Sequence, residues 1–202
     1  MLLTLHIIAG TCALFSAGAA VFTGKGKKWH INAGRVYVVA MALVCGSAIL
    51  MSARTGNLFL LLVGLFSFYF AFSGWRFARN RSGQASWPDW LGIGTLLVAG
   101  ISMWLLAGYL LMQGNSQYIT MAVFGFIAII LGLGDARLHR QGKAVGKERI
   151  ARHLASMLGG TIAVITAVFV VNVTLSPPWL GWVLPTIILT PVIIWWSHKV
   201  RN

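Results

Sequence analysis

Acidic side chains are nearly absent from this sequence, which has three aspartates and glutamates against 16 lysines and arginines in 202 residues. Charged residues of both signs make up 9% of the chain, whereas about 25% is usual for a water-soluble domain. The hydrophobic share is 58% and the mean hydropathy is +0.81. Together these values exclude a soluble globular enzyme and a disordered basic tail.

Cysteine is also scarce, and the two thiols are far apart in the sequence. Cys12 and Cys45 lie in apolar runs without CxxC spacing, so a cysteine-based metal framework is excluded and we predict no metal site. If the first two helices are antiparallel, the two thiols lie at nearly the same depth. They could form a redox pair only if they face each other. Otherwise they are small apolar fillers, which are unreactive when buried.

The excess of basic residues gives a net charge of +13, a value that could indicate nucleic-acid binding. However, the basic residues lie in short clusters between long uncharged apolar runs. This distribution is typical of cytoplasmic loops, where lysine and arginine set the orientation of membrane spans. We therefore expect the lipid bilayer, and no nucleic acid, as the partner of this chain.

Seven apolar runs approach the length of about 20 residues that crosses the hydrocarbon core of a bilayer. Because backbone polar groups in lipid must be satisfied within their own segment, each run is predicted to be a helix. The predicted helices are 2–22, 34–52, 58–75, 90–112, 119–134, 154–173 and 180–197. The sequence thus predicts an all-α fold, a single integral membrane domain over residues 1–202 with a seven-transmembrane-helix bundle. We expect the first run to be a retained helix rather than a signal peptide, since no basic segment precedes it.

Basic residues are distributed unequally between the two sides of this arrangement. All but one of the 16 fall in or next to the first, third and fifth connections or at the C-terminus, and Arg54 alone falls on the other side. This bias predicts an N-terminus outside and a C-terminus in the cytoplasm. It also favours attraction to anionic lipids, worth about 1 kcal/mol for each basic residue near the surface.

The centres of the predicted helices contain no Asp, Glu, Lys or Arg. A proton-coupled pump usually needs a buried carboxylate or an equivalent relay, so this class is disfavoured. A seventh helix without a central lysine excludes a retinal Schiff base.

His6 is the most deeply placed titratable side chain. It is interpreted either as a ligand or proton carrier near the outer face or as an interfacial histidine hydrogen-bonded to a neighbouring helix.

The main candidate site is a group of polar residues at the cytoplasmic helix ends. If these ends converge, imidazoles, a carboxylate and guanidiniums line one mouth. It could bind a small anionic ligand, a lipid head group, a partner or a propionate-bearing cofactor. The alternative is ordinary anchoring by basic residues, with Asp135 in an ion pair with a nearby arginine. The candidate residues are His30, Arg35, Asp135, Arg137 and His153.

Six short segments carry a resemblance to a known family. They are HIIAG at 6–10, KGKKWH at 25–30, GRVY at 34–37, RIARHLASM at 149–157, TAVFVVN at 166–172 and WVLPT at 182–186. They resemble an uncharacterised bacterial family of predicted membrane proteins, whose domain has no assigned function. The resemblance covers most of the chain and implies a seven-helix protein of the bacterial inner membrane. The positions that it marks are His6, His30, Arg35, His153 and Asn172.

A fainter likeness to the cytochrome b561 type rests on a histidine that opens a helix and on a lysine-rich loop followed by His30. That family implies paired histidines for two haems, whereas the outer half of this chain offers only His6. One alternative function is a b-type haem electron-transfer protein, which needs His30 or His198 opposite His153. The other is a small-solute transporter, based on the prolines of the last helix. The sequence leaves open whether the chain is an enzyme and whether it forms a homo-oligomer or has a membrane partner.

Overall fold

The computed structural model describes residues 1–202 and consists of seven α-helices joined by short loops, with no β-strand. Each helix is long and apolar enough to cross a membrane. This confirms the predicted all-α, seven-helix class and makes the chain an integral membrane protein. The helices are α1 (Leu2–Phe22), α2 (Lys28–Thr55), α3 (Leu58–Arg79), α4 (Trp87–Met112), α5 (Tyr118–Arg140), α6 (Gly146–Asn172) and α7 (Trp179–Arg201).

The first helix has the predicted bounds, whereas the other six are longer than predicted. Helix α2 begins at Lys28 rather than at residue 34, α5 ends at Arg140 rather than at 134, and α6 begins at Gly146 rather than at 154. The prediction followed the apolar runs alone, while a helix continues its backbone hydrogen bonds into polar sequence beyond the hydrocarbon core. As a result, several charged residues that were expected in loops lie on helices.

Helix α3 lies at the centre of the bundle and packs against α2, α4 and α6. The helices α1, α2, α3 and α6 form a ring in which each packs against the next. Helices α2 and α6 lie diagonally opposite without a close approach of their backbones, and they touch through side chains such as Tyr37. On the other side of α3 lie α4 and α5, and α7 packs against both α6 and α5. Helices α5 and α6 are neighbours in sequence but do not pack directly against each other. This leaves a gap beside α3 that side chains must bridge.

Two apolar cores hold the helices together. The larger core lies between α3, α4 and α5 and contains bulky side chains such as Phe66, Met103 and Phe124. The smaller core fills the ring of α1, α2, α3 and α6 and consists mainly of alanines, together with Tyr37 and Met41. Small side chains let helix backbones approach closely, which is a common mode of helix association in lipid.

A close approach of α4 and α5 depends on two glycines. A Cβ atom added to Gly100 would lie 3.2 Å from the carbonyl oxygen of Gly125, and one added to Gly125 would lie 2.9 Å from that of Gly100. Such distances are too short for a relaxed contact between a carbon atom and a rigid backbone oxygen. Any larger residue at these positions would therefore push the two helices apart.

One end of the bundle carries nearly all of the charge, and we call it the basic end. It is formed by the last turns of α1, α3, α5 and α7, by the first turns of α2, α4 and α6, and by the loops between them. Contacts across it join distant parts of the chain, such as Lys147 Nζ to Asn202 O at 2.7 Å and Arg149 Nη1 to Phe77 O at 2.6 Å. All lysines and arginines except Arg54, and all three acidic residues, lie at this end.

Candidate functional site

Each of the three acidic residues forms an ion pair with one arginine on a different helix. The pairs are Asp89 with Arg76 (α4 and α3), Asp135 with Arg152 (α5 and α6), and Glu148 with Arg201 (α6 and α7). The carboxylates of the first two pairs are buried, whereas the Glu148 side chain is 33% exposed. Every other lysine and arginine at the basic end therefore has no carboxylate partner.

Asp135 is the most deeply buried carboxylate, with 1% of its surface exposed. Its Oδ1 atom faces the guanidinium of Arg152. Its Oδ2 atom accepts a hydrogen bond from Tyr69 Oη at 2.6 Å and a longer one from Ser73 Oγ at 3.4 Å. Ser73 Oγ lies 3.4 Å from Ser156 Oγ on α6. We call these five side chains the Asp135 network; they satisfy a buried charge and connect α3, α5 and α6 across the gap.

A cavity of about 30 Å³ borders the Asp135 network. Its walls come from the three helices around the gap between α5 and α6. The lining residues are Tyr69, Phe70, Leu131, Asp135, Arg152, Ala155 and Ser156. The Nε atom of Arg152 is buried and has no hydrogen-bond partner in the protein. The cavity is thus small and carries an unsatisfied donor among its lining residues.

The second buried pair lies where α3 ends and α4 begins. Arg76 Nε and Nη2 donate to the two carboxylate oxygens of Asp89 at 2.6 and 2.7 Å, which is the bidentate geometry of a strong pair. The backbone N–H of Ser86 donates to Asp89 Oδ2 at 2.8 Å, so the carboxylate also caps the first turn of α4. A cavity of about 10 Å³ lies beside the pair and is lined by Tyr69, Phe72, Ser73, Arg76, Phe77, Asp89, Ile93 and His139.

His30 on α2 and His153 on α6 meet at the basic end of the four-helix ring. Their ring centroids are 6.3 Å apart and their planes are inclined by 83°. His30 Nδ1 donates to the carbonyl oxygen of Ala20 at 3.0 Å, and His153 Nδ1 donates to that of Gly74 at 2.8 Å. Because a carbonyl oxygen can only accept, the proton of each neutral ring lies on Nδ1 and a lone pair remains on Nε2. Each ring therefore joins its helix to a neighbouring helix, His30 to α1 and His153 to α3, and each keeps one free acceptor.

The structure brings together only two of the five predicted site residues. His30 and His153 form the pair described above, while Asp135 belongs to the interior network. Arg35 and Arg137 are exposed, on α2 and α5, and form no side-chain hydrogen bond or ion pair within the chain. The predicted cluster is thus divided into a histidine pair, a buried network and two free guanidiniums.

The sequence predicts Asp135 at the cytoplasmic end of the fifth helix, and one alternative pairs it with a nearby arginine, but it does not predict the hydroxyl groups of Tyr69, Ser73 and Ser156. In the structure α5 continues to Arg140, so Asp135 lies more than one turn inside the helix and is buried in the bundle. A signal was present in the spacing of polar residues, at 149, 152, 153 and 156 on α6 and at 69, 73 and 76 on α3. Intervals of three and four residues place side chains on one helix face. Two polar faces on neighbouring helices would have suggested that they meet.

At the opposite end of the bundle, His6 contacts α2. Its Nδ1 atom lies 2.9 Å from Ser47 Oγ, and Ser47 Oγ in turn donates to the carbonyl oxygen of Leu43 at 2.7 Å. The histidine is therefore the donor of a hydrogen bond that joins α1 to α2. Both thiols are free, with Cys12 exposed and Cys45 buried.

Tryptophan rings surround the basic end and contact its free cations. The pairs are Lys25 with Trp196 at 5.5 Å, Arg79 with Trp75 at 5.3 Å, Arg140 with Trp90 at 5.8 Å, and Lys199 with Trp195 at 5.5 Å, each from the cation to the ring centroid. Tryptophan is typical of the boundary between hydrocarbon and head groups, and a cation over its face is attracted to the ring. These contacts are what the head-group level of a membrane favours.

Comparisons with protein-family models, with curated proteins and with solved structures find no match to this chain. The resemblance to a bacterial family of membrane proteins therefore stays a prediction.

Proposed function

We propose that the chain lies in a bacterial inner membrane with its basic end toward the cytoplasm and residue Met1 on the outer side. The support is the concentration of lysine and arginine at one end, since such residues are retained in cytoplasmic loops. Arg54 alone lies at the other end. A protease site fused after Asn202 should resist protease added outside intact cells, and cleavage there would contradict this orientation.

Within that orientation, the basic end binds a small anionic ligand or a lipid head group carrying phosphate or carboxylate. The observation that carries this proposal is the balance of charge. The three acidic residues each occupy one arginine, and Arg35 and Arg137 are among the cations left free. Free guanidiniums bind phosphate and carboxylate in bidentate fashion. His30 and His153 add two imidazoles between α2 and α6, and each protonated ring donates to the anion from Nε2.

Ligand binding to the folded state raises its stability, so thermal unfolding in detergent is a direct assay. Short-chain phosphatidylglycerol and inorganic phosphate test the two sources of the anion, and phosphatidylcholine of the same chain length is the neutral comparison. We expect the melting temperature to rise with one or both anions and not with phosphatidylcholine. The double variant His30→Ala, His153→Ala should lose this rise.

Arg54→Ala is the matched control, because it removes the one basic residue at the opposite end. It should keep the full response to the anion. An equal rise in melting temperature for the wild type and the double histidine variant would show that the histidine pair is not part of the binding site. An equal rise in melting temperature with anionic and neutral lipid would show that the chain does not select the anion, and it would contradict the proposal.

The histidine pair also favours a second candidate function, a b-type haem electron-transfer protein. Histidines that bind a metal usually donate their other ring N–H to a carbonyl or carboxylate, as His30 and His153 do. His30 and His153, whose ring centroids lie 6.3 Å apart, are the residues that would hold the haem iron. The two residues come from diagonal helices of a four-helix ring, where bundle cofactors bind. Haem would supply one-electron chemistry, and free cations of the basic end would bind its propionates.

The absorption spectrum of the purified protein tests this candidate. After expression with added haem, we expect a Soret band that His30→Ala and His153→Ala each abolish. His198→Ala is the control, since His198 is an exposed histidine of the same end without a role in the pair. A colourless wild-type protein would exclude the haem candidate, and anion binding would be the one proposed function that is left. The transporter alternative stays a prediction.

A further inference from the structure

The Asp135 network has features that neither proposed function uses. The network and the Arg76–Asp89 pair each border a cavity, of about 30 and 10 Å³ respectively. Tyr69 lines both cavities, and Ser73 lines the smaller one while its hydroxyl donates to Asp135 in the wall of the larger one. Polar groups therefore form a continuous series from the basic end of α3 and α4 to the buried carboxylate.

Both cavities are polar enough to hold water. A buried water needs a volume of about 10–15 Å³ and two to four polar partners. Arg152 Nε, among the residues that line the larger cavity, is buried without a partner in the protein, and so is His139 Nδ1 among those that line the smaller one. Buried polar atoms are nearly always hydrogen-bonded to protein or to ordered water, so each cavity has both the space and the demand for a water molecule.

Toward the opposite end, the series of polar groups stops at aromatic rings. Phe66 packs against Phe70 with ring centroids 5.0 Å apart and stacks on Phe124 at 5.4 Å. All three rings are buried in the larger apolar core. This part of the interior offers water no hydrogen-bonding partner, so it separates Asp135 from the far side of the bundle.

We propose that the Asp135 network is a water-binding site that is hydrated from the basic end through Tyr69 and Ser73 and is closed toward the opposite end. Water in the larger cavity bonds to Arg152 Nε, to the Asp135 carboxylate and to Ser156. Water in the smaller cavity bonds to His139 Nδ1 and continues the path to the Arg76–Asp89 pair. The hydroxyl groups of Tyr69 and Ser73 lie between the two cavities.

Water-edited solid-state ¹³C NMR of the full chain in lipid bilayers tests this proposal. The chain contains only two aspartates, so labelling aspartate gives two carboxyl signals, and Asp135→Asn assigns them. We expect magnetisation to pass from water to Asp135 as it does to Asp89, which lies nearer the surface. An Asp135 signal that receives none, while Asp89 does, would overturn the proposal.

Two variants test the route. Ala155→Leu fills the larger cavity and should abolish the transfer to Asp135 while Asp89 keeps its signal. Ala167→Leu, at an exposed position on the same helix, is the matched control and should change neither signal. Ser73→Val removes the hydroxyl between the cavities and should also abolish the transfer to Asp135. If Ser73→Val leaves that transfer intact, water arrives by another path and the proposed direction is wrong.

Leu131→Phe is a second way to fill the larger cavity, because Leu131 lines it from α5. It replaces Ala155→Leu if that variant fails to fold, as judged by its helical circular dichroism. Loss of the Asp135 transfer in either folded variant supports the site. Retention of the transfer in a folded variant with the cavity filled overturns it.

Discussion

Replacing Asp135 with alanine should destabilise the protein more than removing a carboxylate from its surface. The substitution leaves the Arg152 guanidinium, whose side chain is 17% exposed, without its counter-charge and the Tyr69 hydroxyl without its acceptor. Removing one partner of a buried ion pair costs about 3–5 kcal/mol, and we expect about 3 kcal/mol because Arg152 is not fully buried. For a chain of this length, such a loss lowers the melting temperature by about 6–12 °C.

Glu148→Ala is the control, because it also removes the carboxylate of an Arg ion pair, but the Glu148–Arg201 pair, with hydrogen bonds of 2.7 and 3.0 Å, lies at the surface. Exposed pairs contribute about 0–1 kcal/mol. The double variant Asp135→Leu, Arg152→Met replaces both buried charges with apolar groups and should recover most of the stability. Thermal unfolding in detergent, followed by circular dichroism, measures all three. Equal effects of Asp135→Ala and Glu148→Ala, or a double variant no more stable than Asp135→Ala, would refute the reasoning.

Three other substitutions test the packing of α4 against α5, the residue that begins α4, and a tryptophan at the basic end. Gly125→Ala should cost about 1–3 kcal/mol because its Cβ atom has no room beside α4, whereas Gly94→Ala, where a Cβ atom meets open space, should be neutral in the same unfolding assay. Ser86→Ala should cost about 1 kcal/mol, since its hydroxyl accepts from Arg76 Nη2 at 2.6 Å and donates to Asp89 Oδ2 at 2.9 Å; an unchanged melting temperature would contradict this. Trp90→Leu should leave stability in detergent unchanged within about 1 kcal/mol, because an exposed cation over an aromatic ring contributes no more than that. A larger loss would mean that the ring is part of the core.

The seven helices could be predicted because each needs a long apolar run, and such runs are visible in the sequence. The bounds of α1 agree because both of its ends coincide with the ends of its apolar run. The start of α6 could not be placed in this way, because its first two turns contain Lys147, Glu148 and Arg149. Those turns are helical since they pack against the end of α3, as the contact from Arg149 to Phe77 shows, and this contact is a property of the fold.

The candidate site was predictable in its residue types and not in its grouping. The sequence places His30 and His153 at the same end of the bundle, because it predicts how the chain alternates between the two sides of the membrane. That the two side chains contact each other depends on α2 and α6 lying diagonally in one four-helix ring. The partner of Asp135 was expected to be an arginine, and only packing selects Arg152 over the exposed Arg137. Tyr69 was not considered because an aromatic residue inside an apolar run has no distinguishing pattern.

The ion pair between α5 and α6 has a consequence for the order of events during synthesis. Asp135 precedes Arg152 by about 17 residues, which takes about 1–3 s at the usual rate of chain elongation. In that interval the carboxylate of α5 has no guanidinium partner in the bundle, and the donors available to it are Tyr69 and Ser73 on the earlier helix α3. Since α3 is already complete, the growing chain can hold α5 by these hydroxyls until α6 arrives.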